Sequence, residues 1–63
     1  MTTAYVLLLQ SISIDNTYYI SQYLPLCSRF EGLDALKFAI DKGKIDSMKF
    51  IAKYYNVDLA LFV

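Results

Sequence analysis

The stretch Leu33–Asp58, LDALKFAIDKGKIDSMKFIAKYYNVD, decides how this chain folds. Ala35, Leu36, Ala39 and Ile40 stand at i, i+1, i+4 and i+5, the spacing of one apolar helical stripe. Gly43 follows, flanked by Lys42 and Lys44. Glycine suits the left-handed position that ends a helix, and lysines suit the negative end of the helix dipole. Asp46 stands where an N-cap is expected, its carboxylate placed to accept from free backbone amides. Met48, Ile51, Ala52 and Tyr55 then repeat at three, four and seven. The segment reads as helix, tight turn, helix.

A fainter copy lies upstream. Sliding the chain by 31 positions lays Ala4 on Ala35, Ile14 on Ile45, Asp15 on Asp46, Ile20 on Ile51 and Tyr23 on Tyr54. An internal period of about 20 to 50 residues marks a repeat architecture. The expected first helix starts at a Thr2 or Thr3 cap and runs to about Gln10, with Ser11 to Ser13 breaking it. Asp15 is expected to cap a second helix over roughly Asn16 to Leu24, which Pro25 ends because proline disfavours helix in the residue before it. The stretch PLCSRFEGL, Pro25 to Leu33, reads as the irregular linker, with Gly32 its turn residue and Asp34 the cap of the third helix. The fold class that follows is all-α: two helix-turn-helix hairpins, four short helices, in one domain with repeat-like halves 3–27 and 34–58.

Composition bounds the function. The 63 residues are 57% hydrophobic and 19% charged, more apolar material than so small a domain hides, so part of it is expected to form a contact surface. Six basic and six acidic residues cancel, and the lysines from Lys37 to Lys53 are interleaved with Asp41 and Asp46, which disfavours nucleic acid as a partner. There is no histidine and one cysteine, Cys27, which rules out a zinc site of Cys and His and leaves the thiol as a small buried hydrophobe. A lone thiol fits a reducing, intracellular location. The apolar run Ala4–Leu9 is too short and has no basic flank for a signal peptide or membrane span. No nucleophile has an evident base and no Gly-rich phosphate loop is present, so neither catalysis nor a cofactor is expected.

The segment DALKFAIDKGKIDSMKFIAKYYNVD resembles an ankyrin repeat. Ala35, Leu36 and Ala39 match the small-residue first helix, Gly43 the inter-helix glycine, and Ile45, Ile51 and Val57-Asp58 the second half. The sequence departs from that pattern where Asp34-Ala35-Leu36-Lys37 replaces Thr-Pro-Leu-His, where Tyr54-Tyr55 replaces Leu-Leu, and where Ile12 replaces the glycine of the first copy. The 31-residue spacing also differs from the family's 33. Its Tyr-, Ile- and Lys-rich style resembles the divergent repeats of viral proteins. The resemblance implies a non-enzymatic protein-binding module that presents loop tips and outer first-helix positions to its partner. In this chain those positions are Val6, Gln10, Lys37 and Asp41 on the first helices and Arg29, Phe30 and Glu31 at the loop tip. An aromatic beside an arginine has the makeup of an interface hot spot.

The tyrosines fall mainly on the second helices. Tyr19, Tyr23 and Tyr54 are expected to pack the hairpins together, and Tyr18 and Tyr55 to face outward as further partner-binding positions. A competing expectation is a compact α-helical homodimer sealed by the second helices and Leu59 to Val63, a phage or viral accessory or regulatory protein unrelated to ankyrin repeats. The linker discriminates between them. An extended finger there favours the first reading.

Overall fold

The computed structural model describes residues 2–61, with side chains through Ala60. Phe62 and Val63 of the expected dimer seal therefore lie outside the described residues. Four helices, α1 (Thr3–Ser13), α2 (Thr17–Tyr23), α3 (Arg29–Asp41) and α4 (Ile45–Tyr55), form two hairpins, with single 3-10 turns at Leu24–Leu26 and Leu59–Leu61. No strand occurs among the described residues. The fold is all-α, as the periodicity predicts.

Local chemistry explains where each helix starts and stops. The Thr2 hydroxyl accepts from the Tyr5 amide and opens α1. The helix does not break at Ser11 but runs to Ser13: Ser11 and Ile12 are buried in the packing, and the Ser11 and Ser13 hydroxyls donate back to the Leu7 and Leu9 carbonyls within the helix. Asp15 does not cap α2. It takes a left-handed conformation, φ 53°, just past the end of α1, while the Asn16 side chain caps α2 by accepting from the Tyr19 amide.

The linker is far shorter than expected. Pro25 sits in the 3-10 turn, and α3 begins at Arg29, so residues 29–33 are helical and no finger projects between the hairpins. A capping box fixes that start: the Ser28 hydroxyl accepts from the Glu31 amide, and the Glu31 carboxylate accepts from the Ser28 amide. Asp34 is therefore inside α3 rather than its cap, and Gly32 is a buried helical residue rather than a turn. Asp46 lies in the first turn of α4, whose N-cap residue, Lys44, makes no side-chain capping bond.

The helix ends carry the clearest internal likeness. After α3, the Gly43 amide donates to Ile40 and the Lys44 amide to Ala39, with Gly43 left-handed at φ 67°. After α1, the Asp15 amide donates to Ile12 and the Asn16 amide to Ser11, the same two-bond motif. Asp15 therefore corresponds to Gly43, a spacing of 28 rather than 31. The ungapped 31-residue alignment sets Asp15 on a first-turn residue of α4 and so does not superimpose turn on turn. Asn56, left-handed at φ 54°, ends α4 in the same way.

The core runs through both hairpins. Leu8 and Ile12 of α1, Ile20 of α2, Leu24, Leu36 of α3 and Ile51 of α4 are fully buried, and Ala35 and Ala39 let α3 approach closely. Burial of each Leu or Ile stabilises by about 1.5–3 kcal/mol, and these residues link elements far apart in sequence.

Candidate functional site

The exposed first half of α3 is the surface on which the expected partner residues gather. Arg29 and Phe30 project from its first turn because the capping box fixes the helix start one residue earlier. Phe30 is 83% exposed, the most exposed of the large hydrophobic side chains described. It borders two shallow depressions of about 310 Å³ each, one with Leu33, Asp34 and Lys37, the other with Tyr5, Glu31 and Asp34.

Hydrogen bonds hold the floor of this patch. The Tyr5 phenol donates to the Asp34 carboxylate, joining α1 to α3. That bond, reinforced by burial and by the negative charge beside it, pushes the Tyr5 hydroxyl up to about 12. The Thr2 hydroxyl donates to Glu31 at 3.0 Å. Glu31 is held below the usual carboxylate range, first by the Ser28 amide and then by the Thr2 and Ser28 hydroxyls. Glu31 is therefore half-buried and committed to structure on both oxygens.

The remaining expected residues divide. Tyr55 faces inward rather than outward: its ring lies against Gly32, where an added Cβ would overlap the phenol, and the Arg29 guanidinium sits 5.5 Å from its centroid. The reason is the helical stripe, because Tyr55 continues the line of Ile51 and Ala52, whereas Tyr54 falls beside it and is half exposed. Lys37 joins the Phe30 patch, while Asp41 closes α3 about one turn, ~6 Å, beyond Lys37 and lines neither depression. Tyr18 is exposed on α2, edge-on to Tyr19 with centroids 5.6 Å apart, and Tyr19 is itself 45% exposed rather than sealed between hairpins. Sequence reasoning missed Tyr5 and Asp34 as parts of the patch; their spacing of 29 shows only when α1 and α3 lie side by side.

A larger groove, about 420 Å³, opens between α1 and α2, lined by Leu7, Gln10, Ser11, Ile14, Tyr19 and Tyr23. Burial, with Glu31 nearby, pushes the half-buried Cys27 thiol up, so it is a poor nucleophile at neutral pH. Among the described residues, no cluster of three or more His, Cys, Asp or Glu side chains could hold a metal ion, and no helix is long and apolar enough to cross a membrane.

No protein-family model, curated protein or solved structure matches this chain.

Proposed function

We propose that this chain is a non-enzymatic, intracellular protein-interaction module built from two divergent ankyrin-type hairpins. It binds its partner through the first half of α3, with Arg29, Phe30 and Lys37 as the contacting residues. The observation that carries this reading is the exposure of Phe30 on a rigid, doubly capped helix start between two depressions. A single exposed apolar side chain is ordinary by itself, but an aromatic on a fixed helix start between Arg29 and Lys37 provides both an anchor and a polar rim. Support for the repeat character comes from the left-handed turns at Asp15 and Gly43, which close the two hairpins with the same hydrogen bonds.

One observation favours a second reading, a compact helical homodimer of viral accessory type unrelated to ankyrin repeats. The hairpins are joined by a 3-10 turn and two residues, with no finger between them.

The test is site-specific photo-crosslinking in the cells that make the protein, with a photoreactive phenylalanine at position 30 and Phe30→Ala as the affinity variant. A discrete adduct from position 30, together with a loss of about tenfold or more in affinity for that partner on Phe30→Ala at unchanged thermal stability, supports the module. Adducts from Tyr18 or Asp41 but none from position 30 would move the binding surface elsewhere.

A further inference from the structure

We propose that the α1–α2 groove is where a second copy of this chain docks, groove against groove. The assignment starts from the 28-residue correspondence set by the Asp15 and Gly43 turns. It pairs Leu7, Ser11, Tyr19 and Tyr23 of the groove with Ala35, Ala39, Ser47 and Ile51 of the second hairpin. Those four second-hairpin residues are fully buried, on the side where the first hairpin packs. In the first hairpin Tyr19 is 45% exposed and Leu7 and Tyr23 are half-buried. Ser11 is itself buried, and the other two lining residues, Gln10 and Ile14, correspond to the half-buried Phe38 and the exposed Lys42, so four of the six groove positions match an interface already formed within the chain, and three of those four lack its full cover.

Chemistry selects the second copy. Of the twelve charged side chains only Asp15 precedes Arg29, and its carboxylate is engaged by Ser47 within the chain. The groove itself carries no charge, and Ile14 (65% exposed) and Tyr18 (67%) extend its apolar rim. An uncharged apolar surface meets its own image without repulsion, and a two-fold pairing is self-complementary by construction. The face that covers the corresponding surface inside the chain is already used in every copy, and the second hairpin carries the remaining charges. Groove on groove is therefore the pairing that leaves no charge at the centre of the interface. This inference does not depend on the Phe30 patch, which lies on α3.

Sedimentation equilibrium of the full chain, from micromolar to millimolar, tests it. The expected result is a monomer–dimer equilibrium that Tyr19→Lys weakens about tenfold or more, because two lysines then face each other across the axis. Mixing Tyr19→Lys with Tyr19→Glu restores the dimer as a heterodimer. Tyr54→Lys on α4 and Phe30→Ala leave it unchanged. Gln10→Glu, an isosteric exchange at an exposed groove position, weakens it in the same direction and keeps the test decisive if Tyr19→Lys fails to fold. A monomer at every concentration overturns the proposal. So does a dimer indifferent to the Tyr19 and Gln10 charges, or an open-ended series of oligomers, which would mean head-to-tail stacking.

Discussion

The Asp15 carboxylate accepts both hydrogen bonds that Ser47 offers, from its amide at 2.9 Å and from its hydroxyl at 2.5 Å. Ser47 lies in the first turn of α4, a helix whose own N-cap residue provides no side-chain acceptor. The first hairpin's turn therefore caps the last helix of the second hairpin, across 32 residues of sequence. The negative charge sits at the positive end of the α4 dipole, where it is favoured.

Breaking this link loosens the two hairpins from each other. Ser47→Ala removes the hydroxyl bond and is expected to cost about 1 kcal/mol. Asp15→Asn keeps a residue that tolerates the left-handed backbone and isolates the loss of the charge. Asp15→Gly relieves the backbone but deletes the acceptor. Urea denaturation of all three should rank Asp15→Gly below the wild type; equal or greater stability would mean that the link does not hold the hairpins.

The acid limb of stability should be steep. Asp15 is held below the ordinary carboxylate value of 3.8, first by the Ser47 hydroxyl, then by its amide and the Lys44 charge. Glu31 lies below its ordinary 4.5 for the capping-box reason given above. Both carboxylates bind protons more weakly in the folded than in the unfolded chain. Their stabilisation is present above those ordinary values and is lost as pH falls through the lowered ones. Denaturation midpoints between pH 7 and pH 2 should fall accordingly, and Asp15→Asn with Glu31→Gln should flatten that limb.

At the alkaline end the sign reverses. The Tyr5 hydroxyl, raised from 10.0 to about 12 by its bond to Asp34, binds its proton more tightly when folded. Its contribution is complete below pH 10 and is lost as pH rises toward 12. Tyr5→Phe should remove this alkaline decline, and ultraviolet phenolate titration should lose a late-ionising tyrosine in that variant, while Tyr55, which burial also pushes up, still ionises late.

The two glycines should respond oppositely to alanine. Gly43→Ala meets no neighbour but must adopt φ 67°, an expected cost of about 1–2 kcal/mol. Gly32→Ala improves helix propensity by about 1 kcal/mol, yet its Cβ collides with the Tyr55 ring. It should destabilise the wild type and stabilise a Tyr55→Ala background. A double-mutant cycle by thermal unfolding that shows no sign change would place Tyr55 elsewhere.

The core and the exposed patch should separate by size of effect. Leu8→Ala empties a fully buried site and should cost about 3 kcal/mol. Phe30→Ala should change stability by less than about 0.5 kcal/mol, because its ring touches water rather than core. Thermal denaturation of the pair checks both.

The sequence by itself determined that four helices form two hairpins, that the chain turns at Gly43, and that Ile51 and Ala52 of α4 face inward. Helical spacing and a glycine's freedom at positive φ are properties of neighbouring residues. Tertiary structure decided the rest. Asp15 and Asp46 look alike as caps in the sequence, but Asp15 turns the chain and caps a distant helix while Asp46 merely sits in a first turn. Ser28, not Asp34, starts α3 through the Ser28-x-x-Glu31 capping box, a local signal legible in the sequence, and that start carries Phe30 out of a supposed loop and onto a helix; only the further bond from Thr2 to Glu31 needs α1 beside α3. The spacing of 28 and the α1–α2 groove appear only in three dimensions, the first from the helix-end hydrogen bonds and the second from how α1 and α2 fold back on each other. A side chain's partner across 30 residues is set by which helices pack together, and local sequence carries no record of that.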